Sequence, residues 1–417
     1  MADGSSLKRG GAGHAVLPVL IVGAGPVGLC LALYLAQRGV ASCLIESMTA
    51  EAFLDQEPRA GSIHPATLEM LDDLGLYEKM EPRGLISPKF QYWDRVRDEM
   101  LAEFDHAALR NDTRFPYVLQ CERGKIIDEA MQLLRQRPEC EIRMATTFAT
   151  FTQDGDSVEA LVTHSSGEEE RIRGSFIVSA EGGRSNVRKA LGIEFKGFTY
   201  PERTLTVCVC YDFDRHHGYA YRNYLSDPDQ WSNLFKWVQP ERWRVHFPTN
   251  IDDAPEKVLG DDYIQAQLQR FLPRSEPYEV VHRTLYTVHQ RVAATFRVGR
   301  AIIAGDAAHV MSPIGAMGMN SGVHDAVNLG EKLVAILRGE SGLDVLDRYT
   351  RQRRHVAVNH TTAQTARNKK LLEEKDPVVR QRNHDILRRT ASDPALAREF
   401  LLRTSLIKSV QEAAAIL

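Results

Sequence analysis

The sequence predicts a mixed α/β fold with a second, largely antiparallel β-sheet and a helical C-terminal segment. Three observations predict this fold. A short apolar run at residues 16–22 leads into glycines, a helical pattern and another short strand. Residues 195–288 contain alternating stretches rich in aromatic residues, as in an antiparallel sheet. Residues 346–417 are highly charged and helical in pattern.

The composition of the 417 residues is that of an ordinary globular protein, with 43% hydrophobic and 26% charged residues. The formal net charge of −3 leaves no basic excess, which argues against a nucleic-acid partner. No apolar run approaches the roughly 20 residues of a membrane helix, so we expect no membrane partner. Residues 1–15 lack the apolar centre of a signal peptide and are interpreted as a flexible leader.

The six cysteines predict structural thiols rather than a metal site. They form no CxxC pair, and Cys208 and Cys210 would need two further ligands to hold zinc. Unpaired thiols suit a reducing compartment, so we expect a cytoplasmic protein without a bound metal.

The first elements form a βαβ unit. Residues 16–22 predict a buried strand, residues 26–38 a helix that stops at Gly39, and residues 41–45 a second strand. A strand, a glycine-rich turn, a helix and a strand within about 30 residues are typical of a dinucleotide-binding unit.

The turn of this unit contains a GxGxxG motif formed by Gly23, Gly25 and Gly28. Gly23 permits the tight turn, Gly25 lets the backbone approach a pyrophosphate, and Gly28 lets the helix pack on the sheet. Glu46, at the end of the second strand, can accept hydrogen bonds from ribose hydroxyls and repels a 2′-phosphate. The motif therefore predicts a Rossmann-like unit that binds FAD or NAD rather than NADP.

The same periodicity of apolar residues predicts further helices and strands. Helices are predicted at residues 67–76, 126–137 and 322–337, and buried strands at residues 175–178 and 299–304. Alternating strands between residues 141 and 178 are joined at Asp154-Gly155 and Ser166-Gly167, which favours hairpins.

We therefore expect a discontinuous cofactor domain and an inserted β domain. The predicted division is a cofactor domain at 16–81, 118–194 and 289–345, a β domain for substrate at 82–117 and 195–288, and the helical segment at 346–417.

A second glycine-rich segment favours FAD over NAD. The strand before Gly305 ends in a turn where Asp306 can bind the hydroxyls of a sugar alcohol. The glycines that follow would let backbone amides meet the edge of a flat ring. The next helix N-terminus would stabilise negative charge on a reduced isoalloxazine.

With these residues the sequence resembles the class A flavoprotein aromatic hydroxylases, related to 4-hydroxybenzoate hydroxylase and phenol hydroxylase. Gly305-Asp306 resembles the family's GD motif, and the stretch from Pro313 to Asn320 resembles its P-x-x-G-x-x-N motif. The segment AEGGRSNVR resembles the DG motif, although Glu181 replaces the usual Asp.

The resemblance implies individual FAD contacts. Asp306 would bind the ribityl chain, the backbone near Met319 and Asn320 the flavin edge, and Arg59 the phosphates, with Gln120 as a further contact. The complete predicted cofactor-binding set is Gly23, Gly25, Gly28, Glu46, Arg59, Gln120, Glu181, Gly305, Asp306, Gly318, Met319 and Asn320.

The resemblance also implies the reaction. NADH or NADPH would reduce bound FAD, and a small phenolic or related aromatic substrate would be hydroxylated by O2 through a flavin C4a-hydroperoxide. The alternatives are another FAD reaction on this fold, such as halogenation, amine or alkene oxidation or reduction, and a non-catalytic flavin-binding protein. A monomer and a homodimer both remain open.

Candidate substrate residues come from the second domain. An aromatic-lined pocket with a few polar groups suits a small planar ligand. Tyr221 and His246, flanked by alternating residues, are the predicted polar contacts. By resemblance, Pro313 would place a backbone carbonyl near the substrate.

Overall fold

The computed structural model describes residues 17–54, 61–238 and 242–417. The predicted leader and Arg59 lie outside these residues. Within the described ranges, every helix is too short or too polar to cross a lipid bilayer.

Twenty strands of the described residues form four sheets. The strands are β1 Val19–Val22, β2 Ser42–Ile45, β3 Ser62–Ile63, β4 Leu85–Ser87, β5 Lys89–Asp94, β6 Glu99–Asp105, β7 Val118–Gln120, β8 Cys140–Arg143, β9 Thr146–Gln153, β10 Val158–His164, β11 Glu169–Gly174, β12 Phe176–Ser179, β13 Phe195–Cys210, β14 Arg222–Ser226, β15 Ser232–Lys236, β16 Arg242–Asn250, β17 Glu279–Ala293, β18 Arg297–Val298, β19 Ala301–Ile303 and β20 His309–Val310.

Fifteen α-helices lie among the described residues. They are α1 Pro26–Ala36, α2 Ala50–Leu54, α3 Pro65–Asp73, α4 Tyr77–Met80, α5 Arg123–Leu134, α6 Asn186–Ala190, α7 Phe213–His217, α8 Pro255–Val258, α9 Asp261–Phe271, α10 Met317–Leu337, α11 Val345–Val356, α12 Ala363–Glu373, α13 Pro377–Ser392, α14 Pro394–Thr404 and α15 Ile407–Ala414. A π-helical turn at Ala357–Thr362 joins α11 to α12.

The first sheet has the strand order β18-β19-β12-β1-β2-β8, and all its pairs are parallel except β18–β19. Its central strands are fully buried because helices and other strands cover both faces. The mixed α/β fold predicted from the sequence is confirmed. Helix α1 packs between α5 and α10 on one face of this sheet.

Strands β9, β10 and β11 form an antiparallel meander over the other face. The predicted turn at Ser166-Gly167 is present, with Gly167 at φ +86° and the His164 amide donating to the Glu168 carbonyl. Both predicted hairpins are therefore formed.

The aromatic-rich segment forms an eight-stranded sheet in the order β20-β17-β13-β16-β15-β14-β5-β6. Strands β5 and β6 come from the earlier segment 82–117 and join through a parallel β14–β5 pair, so the sheet is mixed at that point. Helix α9, which the sequence analysis did not predict, buries Ile264, Leu268 and Phe271 against one face.

Helix α10 begins at Met317, five residues before its predicted start. The glycines at the start of this segment led us to predict a turn there. In the structure Gly322 lies inside the helix and allows close packing. A Cβ on Gly322 would lie 2.6 Å from Val27 Cγ2 and 3.3 Å from the Gly305 Cα. Glycine at this position lets α10 approach α1 and the turn after β19.

A buried ion cluster holds this turn. Asp325 on α10 accepts the Gly305 amide at 2.9 Å, lies 2.7 Å from His309 Nε2, and accepts a hydrogen bond from Arg353 Nε on α11. Burial opposes ionisation of Asp325, but Arg353 and His309 outweigh it and lower its pKa to about 2. Since the pKa of an Asp in the unfolded chain is about 3.9, the cluster stabilises the fold above that pH and loses this contribution as pH falls toward 2.

Asp325→Ala should destabilise the protein by about 3–5 kcal/mol, because Arg353 would remain buried without its counter-charge. Urea unfolding followed by circular dichroism measures the loss. The double variant Asp325→Leu, Arg353→Met should recover part of it, since no buried guanidinium is left. A single variant as stable as the unsubstituted protein would contradict the role of the cluster.

Candidate functional site

A cleft of about 430 Å³ lies at the carboxyl ends of β1, β2, β12 and β19. This is the edge where open α/β sheets bind their ligands. The predicted residues that line it are Gly23, Gly25, Glu46, Glu181, Asp306, Gly318 and Met319. One cleft therefore brings together seven residues drawn from three separate sequence segments.

The three glycines after β1 have different surroundings. Gly23 has φ +103°, and a Cβ there would lie 2.5 Å from the Ala180 carbonyl oxygen. A Cβ on Gly28 would lie 2.0 Å from the Gly23 carbonyl oxygen. A Cβ on Gly25 would meet no atom of the described residues within 4 Å. Gly23 and Gly28 therefore serve packing, whereas Gly25 leaves the cleft open at the start of α1, where free amides favour a phosphate.

Glu46 lies at the edge of the cleft with 9% of its surface exposed. One carboxylate oxygen accepts the Ala24 amide at 2.9 Å, and the other accepts the Met48 amide at 3.0 Å. These bonds fix the carboxylate beside the glycine turn, where it can accept hydrogen bonds from sugar hydroxyls.

Glu181 lines the same cleft but turns its carboxylate into its own loop. It accepts hydrogen bonds from the hydroxyls of Ser179 and Ser185, both at 2.8 Å, and from the amides of Asn186 and Val187 at 3.1 and 3.0 Å. The longer side chain thus caps the start of α6. Direct contact of Glu181 with a cofactor stays a prediction.

Arg188 joins the two glycine-rich loops. Its buried guanidinium donates to the carbonyls of Ala307 and Gly183, both at 2.8 Å, and lies 4.0 Å from the centre of the Phe195 ring. The loop after β12 and the turn after β19 are therefore held in a fixed relation.

Gly305 and Asn320 support the cleft without lining it. Gly305 has φ +60° and packs on Val27, where a Cβ would lie 2.8 Å from Val27 Cγ2. The buried Asn320 amide donates to the carbonyls of Ser62 and Ala316 at 2.8 and 2.7 Å and accepts the His64 amide at 2.9 Å. These bonds fasten the start of α10 to β3.

Gln120 lies outside the main cleft, in a smaller gap lined also by Gly61, Trp237 and Arg244. Its Oε1 accepts a hydrogen bond from the Ser62 hydroxyl, and its buried Nε2 has no partner within the part of the chain that the structure describes. A buried donor without a partner fits a ligand that offers a carbonyl or ring nitrogen.

The sequence analysis missed several lining residues of the cleft. Ser47 and Met48 follow Glu46, and Arg123 is the first residue of α5. These residues could have been predicted from the sequence because they lie within three positions of Glu46 or Gln120. The side chain of Arg123 adds a positive charge beside the cleft, which suits an anionic ligand.

A second cavity lies between the eight-stranded sheet and the loop before α10. It holds about 20 Å³, enough for about one water molecule. Two predicted residues line it, Pro313 and His246, together with Asn233 and Phe235 of the adjacent strand. The Pro313 carbonyl accepts the Ala316 amide at 2.9 Å, which shapes the loop.

Polar atoms without partners collect on this side of the sheet. Thr206 and Asn233 are the cross-strand neighbours of His246, so the three side chains share one face. Thr206 Oγ1, Asn233 Oδ1 and His246 Nδ1 are all buried and have no hydrogen-bond partner among the described residues. Such a row favours a polar ligand, because leaving these groups unsatisfied is costly.

His246 is neutral at physiological pH. Burial and the nearby Arg244 charge lower its pKa to about 3, against a smaller opposing effect of a hydrogen bond to the Asn233 backbone. In the neutral ring one nitrogen donates and the other accepts, so the tautomer with its proton on Nε2 leaves Nδ1 as an acceptor. Tyr221 does not line this cavity; its ring lies 4.7 Å from Lys236 Nζ instead.

The cleft fits the FAD expected from the sequence. Residues 16–364 match the FAD binding domain family, and the chain belongs to that family. With the second cavity beside it, the fold and the relatives define a class A flavoprotein aromatic hydroxylase, an FAD-dependent aromatic monooxygenase.

Individual relatives agree with this class. The chain is 34% identical over 391 residues to para-nitrophenol 4-monooxygenase of Pseudomonas sp. (strain WBC-3), which covers 92% of this chain and 94% of that protein. It is 30% identical to 6-hydroxy-3-succinoylpyridine 3-monooxygenase of Pseudomonas putida (strain DSM 28022 / S16), covering 86% of this chain and 90% of that protein.

A solved structure supports the same class of enzyme. The crystal structure of p-nitrophenol 4-monooxygenase from Pseudomonas putida DLL-E4 superposes with a TM-score of 0.87 at 33% identity, covering 93% of this chain and 97% of that one. The identity and the superposition both show similarity to para-nitrophenol 4-monooxygenase, the relative that the sequence favoured.

Gly25→Val should abolish FAD retention while the protein still folds, because the new side chain points into the cleft rather than into protein atoms. FAD released from purified protein and quantified by absorbance measures this, with circular dichroism as the folding check. Gly155→Val, in the β9–β10 turn, is the matched control and should keep its FAD. Normal FAD content in Gly25→Val would contradict the assignment.

Asp306→Ala should weaken FAD binding by about tenfold or more, since a hydrogen bond to a charged group contributes about 1.5–3 kcal/mol. Fluorescence titration of apoprotein with FAD measures the dissociation constant. The exposed Asp156→Ala, remote from the cleft, serves as control. Equal affinity in the two variants would refute the role of Asp306.

Proposed function

We propose that this enzyme hydroxylates a small aromatic ring that carries a free hydroxyl group, bound in the cavity between His246 and Pro313. The observation that carries the proposal is the pair of buried polar atoms on Asn233 and His246, which line the cavity and have no hydrogen-bond partner among the described residues, with the Thr206 hydroxyl beside them on the same sheet face. A phenolic O–H can donate to such a pair, whereas an apolar ring would leave it unsatisfied.

The main cleft would hold FAD. Gly25 and the first amides of α1 would receive the pyrophosphate, Glu46 a ribose, and Asp306 the ribityl chain. Gln120 Nε2, buried and without a partner among the described residues, would donate to the flavin ring. Bound FAD supplies the redox chemistry, accepting electrons from NADH or NADPH and activating O2.

His246 has a positioning role in this scheme. Because its pKa is lowered to about 3, the ring cannot keep a proton taken from the substrate. It instead accepts a hydrogen bond from the phenol and fixes the orientation of the ring. Asn233 Oδ1, directly across the strand pair, offers a second acceptor.

The names of the relatives support a more specific class of substrate. The names of the two Pseudomonas enzymes place the attacked ring position para to a hydroxyl group, at carbon 4 of a nitrophenol and carbon 3 of a 6-hydroxypyridine. We infer that a para-substituted hydroxyarene is the substrate class here. Since the cavity holds about 20 Å³, the substrate must displace the loop at Pro313 or the surrounding side chains.

The cavity lining also contains a charged pair. Lys369 lies 2.8 Å from Glu202, with only 8% of the lysine side chain exposed. The two residues line the cavity together with Tyr200 and Trp231. This pair gives the cavity charged groups that can interact with a polar ring substituent.

The cellular setting is also a proposal. All six cysteines are free thiols, and five of them are buried, which supports the cytoplasm as the compartment. Either a monomer or a homodimer is compatible with the site, because the described residues of one chain line both cavities.

His246→Leu should raise the KM for a para-substituted phenol about tenfold while FAD content stays unchanged, since an apolar side chain removes the acceptor. Substrate-dependent NAD(P)H oxidation, together with product analysis, measures KM and the coupling of oxidation to hydroxylation. His289→Gln, on an exposed part of β17, is the control.

The pH dependence provides a second check on the same residue. With a pKa near 3, His246 should contribute no inflection in KM between about pH 5 and 8. Substrate binding should weaken only as pH rises through the pKa of the phenol itself, which removes the donated proton. An unchanged KM in His246→Leu would refute the proposed contact.

A further inference from the structure

A cluster of two histidines and one glutamate lies on the C-terminal helices. His360 Nε2 is 2.8 Å and His355 Nε2 is 3.8 Å from the same oxygen, Glu412 Oε2. One ligand atom from each residue lies within 4.8 Å of the others. None of the three residues lines the cofactor cleft or the substrate cavity.

The local backbone places the two histidines on one face. In an α-helix, residues five positions apart point about 140° away from each other. Here the helix widens into the π-helical turn Ala357–Thr362 directly after His355. A π turn bonds residue i to residue i+5 and so brings His360 beside His355. Such turns are rare and frequently occur at functional sites.

The surroundings of the cluster suit ligand residues. His355 Nδ1 lies 3.0 Å from the Asn359 amide, so a neighbouring side chain orients the ring and leaves Nε2 toward the cluster. The side chains of His355, His360 and Glu412 are 37%, 17% and 42% exposed. Solvent can therefore supply the remaining coordination position.

We propose that His355, His360 and Glu412 bind one divalent transition-metal ion, with Zn²⁺ as the best match, and that the ion fastens α15 to α11. Two imidazoles and one carboxylate form an established zinc ligand type. Zinc bonds of about 2.0–2.1 Å place tetrahedral ligand atoms about 3.3 Å apart, between the 2.8 and 3.8 Å observed here. The site is independent of the proposed hydroxylation chemistry.

The ion would reinforce a contact that already exists. The side chains of Arg348 and Gln352 on α11 donate to the Ile416 carbonyl just after α15, at 3.1 and 2.9 Å. Arg353, on the same helix, reaches the buried Asp325 cluster. A metal ion at His355 would thus hold α15 to α11, the helix whose Arg353 supports the turn after β19.

Isothermal titration of ZnCl2 into tag-free, EDTA-treated holoenzyme tests the proposal. One Zn²⁺ should bind per chain, and each of His355→Gln, His360→Gln and Glu412→Gln should weaken binding about tenfold or more. His282→Gln and Cys210→Ser, which remove another histidine and the partly exposed cysteine, should bind as the unsubstituted protein does. MgCl2, a hard cation that prefers oxygen ligands, should not compete.

A structural readout separates binding at this site from binding elsewhere. Amide hydrogen exchange in α15 should slow when Zn²⁺ is added to the unsubstituted protein and should not change in His360→Gln. Retained FAD content shows that each variant is folded. Absence of zinc binding, or zinc affinity in the three ligand variants equal to that of the unsubstituted protein, would overturn the proposal.

Discussion

The carboxylate of Asp325 is the interaction on which the geometry of the site depends. It is fully buried and bonds the Gly305 amide, His309 and Arg353, and so joins β19, β20, α10 and α11 at one point. A buried charge without these partners would be expensive, so the four elements have little freedom to separate. The turn that carries Asp306 into the cofactor cleft is fixed by this cluster.

The cleft and the cavity differ in the way they are built. The cleft uses backbone at the carboxyl ends of parallel strands, and close approach at Gly23, Gly28 and Gly305 brings three distant segments together. The cavity uses side chains on adjacent antiparallel strands, where cross-strand pairing places Thr206 and Asn233 on either side of His246. A scaffold that holds a shared cofactor can thus present different substrate contacts through changes on one sheet face.

The substitution of Glu for the usual Asp at residue 181 has a local explanation. The longer side chain reaches the two serines and two amides at the start of α6. Its carboxylate accepts hydrogen bonds from these hydroxyls and amides, so the amides at the start of α6 have an acceptor. Its carboxylate therefore shapes the wall of the cleft, and Arg188 ties that wall to the turn after β19.

The sequence by itself determined the cofactor half of this protein, because a dinucleotide unit depends on local rules: glycines at fixed spacing, a strand before them and a carboxylate after the next strand. The tertiary structure alone decided which polar side chains meet at the substrate cavity. His246 could be chosen from its pattern, but Asn233 and Thr206 become its neighbours only through strand register, and Tyr221 falls outside the cavity. Register between distant strands is set by packing of the whole sheet, which no local pattern encodes.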